Sequence, residues 1–377
     1  MKFVFFYHSL VSCWNHGNAH FLRGVARELL RRGHEVRVLE PADGWSRKNL
    51  ARRHGPEALT RYRAAYPELT SETYERNALD LDMLIDGADV VLVHEWNDPH
   101  LIEALGRKRA ETGRFRLFFH DTHHRAVSAD DELDSLDLAD YDAVLVFGEV
   151  LRDLYLRRGW ARRVLTWHEA ADTTVFRHRE DADGEGSDGD LVWIGNWGDN
   201  ERAQELMEFL VAPVTECGLD AMVYGVRYPH DARRQLRRAG IDYGGWLPNH
   251  EAPEVFSRYR FTMHVPRRPY ARSLPGIPTI RMFEALACGI PLISAPWEDA
   301  EGLFPDDCYL KARDGADMVR QIRRLMNEPE LAASLSDKGL AAIAARHSCA
   351  HRVDELFEFM EAMNSGPQIT RPIEVAL

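Results

Sequence analysis

The residues best suited to binding chemistry lie between Pro275 and Ser294. Pro278 suits the first turn of a helix, where a missing N–H costs nothing. Gly289 suits the end of that helix about three turns later. The first-turn amides of Thr279, Ile280 and Arg281 then face outward at the positive end of the helix dipole, an arrangement that binds diphosphate. The Arg281 guanidinium can fork onto phosphate oxygens. Glu284, one turn on, can accept hydrogen bonds from two ribose hydroxyls. The same spacing also fits a helix that merely packs on a sheet with Glu284 exposed.

A second set of reactive side chains sits where apolar runs stop. Val90–Val93 ends in His94-Glu95-Trp96-Asn97-Asp98, and Arg116–Phe119 ends in His120-Asp121-Thr122-His123-His124-Arg125. Ala143–Phe147 ends in Gly148-Glu149, and Val164–Trp167 in His168-Glu169. Parallel strands buried on both faces look like this, with their chemistry at the carboxyl ends. The run His120–His124 has zinc-type ligands, but they crowd one turn and lack a matching remote pair, so no metal site is expected. A lone His120 can equally do no more than hydrogen-bond loop backbone.

Two α/β units are needed to position these groups. Lys2–Tyr7 reads as a strand, and a polar loop follows from His8 to about Gly17. A helix then carries Phe21, Val25 and Leu29 on one face, with Asn18 as N-cap and Gly33 just past its end. Glu35–Leu39 completes a βαβ unit. After the acidic, glycine-rich stretch Arg177–Asp190, strands resume. Leu191–Ile194 leads into Gly195-Asn196-Trp197-Gly198 and Ala221–Tyr224 into Gly225. Phe261–Val265 leads into Pro266-Arg267-Arg268, and Pro291–Ile293 follows. Helices are expected at Arg202–Leu210, Ala316–Met326 and Arg352–Ala362. The expected domains are residues 1–170 and 191–345, joined by a linker at 171–190. Residues 346–377 form a helix packing back toward the first domain, plus a tail. Trp45–Asp80 carries no signature; its polar helices Arg47–His54 and Glu57–Tyr66 either line an acceptor site or cover the sheet edge.

The run Arg281-x-Phe283-Glu284-Ala285-x-Ala287-Cys288-Gly289-x-Pro291-x-Ile293-Ser294 resembles the donor-binding motif of GT-B glycosyltransferases, most nearly their family-4-like and CgeB-like (spore-maturation type) branches. Glu169-Ala170-Ala171-Asp172-Thr173-Thr174-Val175-Phe176 is similar to their interdomain segment. Gly245-Trp246-Leu247-Pro248 is similar to the loop flanking the nucleotide base. Trp14-Asn15-His16-Gly17-Asn18 resembles the loop that approaches the donor phosphates. The resemblance implies two Rossmann-like domains facing each other across a donor/acceptor cleft. It implies transfer of a sugar from a nucleoside-diphosphate sugar, without a bound metal and with retention favoured over inversion.

By the same resemblance, His120-Asp121 matches a strand-end pair whose histidine reaches the donor sugar. Glu95, Asp98 or Asp121 would be the base if the enzyme inverts. Leaving-group charge falls to Arg281, Arg267 or Arg268 and to the amides near Gly17, Asn18, Gly195 and Asn196. Thr279, Ile280, Trp246, Leu247 and Glu284 complete the donor site. Gly276 is a departure, because many family-4 enzymes carry a sugar-contacting glutamate there. Trp14 and Trp96 are candidates to stack on a sugar or aromatic acceptor, or are simply packing aromatics.

The chain has 377 residues, of which 45% are apolar. With 47 Lys and Arg against 60 Asp and Glu, its formal charge is −13, the wrong sign for non-specific nucleic-acid binding. No run approaches the roughly 18 apolar residues of a membrane span, and Phe3–Tyr7 is too short for a signal peptide, so a cytoplasmic protein is expected. The five cysteines are scattered and read as reduced. The expected partners are a nucleotide sugar, as co-substrate and not cofactor, and an acceptor that is a small molecule, glycan, lipid or protein. Three other readings stay open. Glu40 ends the second strand where an NAD-dependent oxidoreductase holds ribose, although the first turn has only Gly17. A GT-B-shaped sugar-nucleotide epimerase and a non-catalytic binding protein are the others.

Overall fold

The computed structural model describes residues 1–179 and 188–364. Most of the acidic, glycine-rich stretch and the tail after Asn364 lie outside the described residues.

Among the described residues, thirteen strands form two all-parallel sheets. The first contains β1 (Lys2–Phe6), β2 (Glu35–Pro41), β3 (Ser71–Tyr74), β4 (Val90–His94), β5 (Arg116–Asp121), β6 (Ala143–Val146) and β7 (Val164–Thr166), in the order β3-β2-β1-β4-β5-β6-β7. The second contains β8 (Gly189–Ile194), β9 (Ala221–Tyr224), β10 (Ile241–Gly245), β11 (Tyr259–His264), β12 (Leu292–Ser294) and β13 (Leu310–Lys311), in the order β10-β9-β8-β11-β12-β13. The sequence order reverses on either side of β1 and of β8. Each sheet therefore has a switch point where a crevice opens at the carboxyl ends.

Central strands such as β4 and β6 are buried along their whole length, and each was readable as an unbroken apolar run. The three strands absent from the sequence reading are β3, β10 and β13. All lie at sheet edges, where only one side is paired and no continuous apolar run is needed.

Several local expectations change. Asn18 stands before the Ala19–Arg31 helix but makes no side-chain cap; its amide donates instead to the Thr122 hydroxyl. Pro278 precedes the cap residue Thr279 and so lies outside the first turn, since the helix runs Ile280–Cys288. The helix expected at Arg202–Leu210 starts at Ala203 and widens to a looser turn over Met207–Val211 before continuing through Ala212–Cys217. Pro213 explains the widening, because its ring crowds the carbonyl four residues earlier and offers no N–H.

The Cys349–Asn364 helix returns to the first domain and packs on the Ala19–Arg31 helix. Trp167 donates its indole N–H to the Arg352 carbonyl at 2.8 Å, and Arg32 bonds Asp354 and the Ala350 carbonyl. Among the described residues, no helix is long and apolar enough to cross a membrane.

Gly24 is the tightest point of this return. A Cβ there would collide with Cys349 Sγ and lie 2.8 Å from Asp172 Cβ. Gly24→Val is expected to destabilise the protein by about 1–3 kcal/mol, as overpacking does, and Cys349→Ala in the same chain should recover part of the loss. Thermal unfolding of the two variants checks this.

Candidate active site

The carboxyl ends of the two sheets face each other across a cleft of about 700 Å3. On the first-domain side it is bordered by the loop after β1, the start of the Trp45–His54 helix and the loop after β5. On the other side it is bordered by the loops after β8, β9, β10 and β11 and by the start of the Ile280–Cys288 helix.

The domains touch closely around this cleft. A Cβ on Gly17 would lie 2.6 Å from Ile280 Cγ2, so only glycine permits the approach. Asn196 donates to the Asn15 side chain at 2.8 Å, while its own oxygen accepts the Val226 amide at 3.1 Å. Asn15 holds this position with a positive φ of 61°, which asparagine tolerates.

At the helix start, Thr279 is extended and makes no side-chain cap. The first-turn amides, which have no partner within their own helix, therefore open toward the cleft beside Arg281. Arg281 lines the cleft and pairs with Glu284 one turn below. Glu284 is fully enclosed, and its other oxygen lies 3.1 Å from His20 Nδ1 and accepts from Asn249 at 2.8 Å. Burial alone would raise its pKa; Arg281, His20 and Asn249 outweigh burial and hold it below the ordinary carboxylate value.

Glu169 lines the same corner and behaves oppositely. It is buried, one oxygen has no hydrogen-bond partner, and burial together with nearby Glu284 pushes its pKa up to about 8 against the pull of Arg281. Across the cleft, Arg267 donates to Glu201 at 2.8 Å, and His124 lies 3.4 Å from the same oxygen. Burial would raise the Glu201 carboxyl, yet His124 and Arg267 hold it at about 2. Arg202 is spent on backbone, donating to the Asn196 carbonyl at 3.0 Å and the Val265 carbonyl at 3.1 Å.

Of the donor residues expected from sequence, Gly17, Asn18, Gly195, Asn196, Trp246, Leu247, Arg267, Thr279, Ile280 and Arg281 border the cleft. Arg268, Gly276 and Glu284 do not. Arg268 turns away to Glu205 at 3.0 Å. Gly276 has a φ of +87°, and a Cβ there would lie 2.7 Å from Glu301 Cγ, so the pocket around Glu301 leaves no room for a side chain.

His120, Asp121 and Glu95 all lie beneath the cleft floor. The apolar run suggested that the strand stops at Phe119, but β5 continues through Asp121, which carries both residues into the sheet. His120 Nδ1 is 2.5 Å from the Tyr7 hydroxyl, and its ring packs on Trp167. Asp121 accepts the Tyr155 hydroxyl at 2.6 Å and the His123 amide at 3.0 Å. Glu95 accepts the Thr122 amide and Arg125 Nε, each at 3.0 Å. The residues of that run that reach the cleft are Thr122, His123 and His124. Trp14 is also enclosed, beneath Trp45.

Sequence reasoning did not single out His8, His16, Trp45, Arg76, Glu201 and Arg202 as cleft residues. His16 stood inside the quoted loop, and Glu201 and Arg202 follow a strand-end loop. Trp45 and Arg76 had no signal. Among the described residues, no three His, Cys, Asp or Glu side chains gather as a metal-holding group.

Residues 202–358 match the protein-family model described as glycosyl transferase-like. Sucrose-phosphate synthase from Thermosynechococcus elongatus superposes with a TM-score of 0.66 at 14% identity, covering 97% of this chain and 100% of that one. HepE from Anabaena, in complex with UDP and glucose, gives 0.67 at 14% identity, covering 96% and 100%. An alpha-glucosyltransferase in complex with UDP and a 13-mer DNA gives 0.68 at 13% identity, covering 96% and 99%. No curated protein matches in sequence. The fold is that of the GT-B glycosyltransferases. The family match over the second domain gives the enzyme class, a glycosyltransferase.

Glu169 supplies a pH test. Its pKa is higher folded than unfolded, so the proton it keeps stabilises the native chain at low pH, and that stabilisation is lost as pH rises toward about 8. Glu169→Gln should therefore gain in melting temperature over wild type between pH 5 and pH 8. An equal difference at both pH values would contradict the assigned burial.

Proposed function

We propose that the protein transfers a sugar from a nucleoside-diphosphate sugar to an acceptor, in the manner of family-4-like and CgeB-like enzymes, without a bound metal and with retention at the anomeric carbon. The carrying observation is the open start of the Ile280–Cys288 helix, with Arg281 beside it, facing Gly17 across the cleft. The diphosphate lies on the first-turn amides and Arg281, with Arg267 opposite. The base lies toward Val226, Trp246 and Leu247. UDP is the first nucleotide to test, because HepE and the alpha-glucosyltransferase are described with it.

Arg281 and Glu284 are paired before the donor arrives. Diphosphate draws Arg281 upward, which frees the Glu284 carboxylate to accept ribose hydroxyls. The reacting sugar then lies between Glu169 and His123. His123 is a neutral imidazole with an unpaired Nδ1, its pKa lowered by burial and then by His124, Arg267 and Arg125. Asp121 and Glu95 act through the loop, since they hold the amides of His123 and Thr122. His120 anchors the strand beneath through Tyr7.

Retention is favoured by what borders the cleft on the acceptor side. Among the described residues, no carboxylate of strands β1–β7 or their loops lines it before Glu169. Glu169 keeps its proton near neutral pH and is a poor base there. The bond from the anomeric carbon to the diphosphate oxygen breaks, the bond to the acceptor oxygen forms on the same face, and the acceptor proton passes to the departing diphosphate.

Arg281→Ala should weaken UDP binding at least tenfold by calorimetry. His123→Ala should cut turnover roughly 100-fold, the scale of one aimed transition-state donor, while UDP still binds. Product analysis with a UDP-sugar separates the readings. Glycoside formed in step with released UDP supports transfer; an epimerised donor without acceptor, or binding without turnover, overturns it.

A further inference from the structure

The acceptor side of the cleft has a chemistry of its own, distinct from the cationic donor side. Trp45 and Trp96 border it and are 55% and 43% exposed, among the most exposed large apolar side chains of the described residues. Neither ring is loose. Trp45 rests edge-on against buried Trp14 with centroids 4.9 Å apart. Trp96 is braced by the Arg125 guanidinium at 4.4 Å and by the His123 ring at 5.0 Å. Solvent-facing tryptophans with fixed backs are platforms for an amphipathic ligand.

The same cleft is lined by His8 and His16, with ring centroids 4.1 Å apart. Both nitrogens of His16 and Nδ1 of His8 are enclosed without a hydrogen-bond partner. Burial lowers the pKa of His8 to about 4, and burial with His8 and Arg23 lowers that of His16. Both rings are therefore neutral near pH 7, and each presents a donor or an acceptor to a ligand. Orphaned buried polar atoms are costly unless something binds them.

Charge narrows the ligand further. Among the described residues, the one Lys or Arg of the first domain that lines this cleft, Arg76, is committed to Asp43 at 2.7 Å and sits 3.7 Å from Asp98. A phosphorylated lipid or a nucleic acid needs uncommitted cations, and an acyl chain needs an apolar wall where the imidazoles stand. Hydroxyl-rich molecules with apolar C–H faces match both the rings and the imidazoles.

We propose that the acceptor is a saccharide, seated between Trp45 and Trp96 with its hydroxyls on His8 and His16. The proposal rests on the transferase reading and names the substrate class of that cleft. Its test is binding of a fluorescent glycan array to the full chain in the presence of UDP, repeated with Trp45→Ala and Trp96→Ala. A 13-mer DNA and a polyprenyl phosphate are included as separate probes, and UDP binding is measured independently by calorimetry. The expected result is retention of at least one glycan class, weakened at least tenfold in each variant, with melting temperatures unchanged. Glycan binding indifferent to both substitutions, no glycan binding while UDP binds, or binding of only the DNA or lipid probe overturns the proposal. Failure of wild type to bind UDP or any UDP-sugar instead removes the transferase reading beneath it.

Discussion

Everything in the cleft depends on how closely two parallel sheets approach at Gly17 and Ile280. The first-turn amides of a helix attract an anion only if they open into a space from which water is largely excluded. The second domain supplies the helix, and the first supplies the wall. A side chain at position 17 would meet Ile280 Cγ2 at 2.6 Å and hold the domains apart. The Asn15–Asn196 bond and the His20–Glu284 contact span the same gap, so closure and the electrostatics of the donor corner are one feature.

Two carboxyls in that corner are driven in opposite directions by the same burial. Glu284 is ringed by Arg281, His20 and Asn249, so its charge is stabilised. Glu169 lacks such a ring and feels Glu284, so its charge is disfavoured. One buried charge compensated by neighbours and one carboxyl kept neutral is a stable pairing, where two bare carboxylates would not be. It also divides their chemistry. A carboxylate accepts ribose hydroxyls, whereas a neutral carboxyl can donate to a sugar or phosphate oxygen without adding negative charge beside a diphosphate.

The fold was legible wherever burial was two-sided. β1, β4, β5, β6, β8 and β11 announced themselves as apolar runs, and the three unforeseen strands are all edge strands whose polar residues carry no such period. The cleft-lining part of the second-domain motif was legible because one helix start places most of it. The first-domain site was not, because a two-residue extension of β5 decides which histidines are in the sheet and which face the cleft. Residue type cannot distinguish His120 from His123. Trp45 and Arg76 were invisible for another reason, since they come from separate elements that meet only through tertiary packing.

Gly276 shows how a departure from a family pattern can be compensated elsewhere. The space next to it is taken by Glu301, whose carboxylate accepts the Glu149 amide at 2.8 Å and lies 2.6 Å from His168 Nε2. Glu149 begins the Glu149–Arg158 helix, so Glu301 meets that helix at its positive end. The second domain thus uses a carboxylate at this point to grip the first domain, where many of the resembling enzymes carry a glutamate at the position of Gly276. In the proposed transfer, recognition of the sugar falls to groups already facing the cleft, chiefly the unpaired Glu169 oxygen and His123. Both belong to segments of the first domain and its exit, so that proposal assigns sugar recognition and domain closure to different carboxyls.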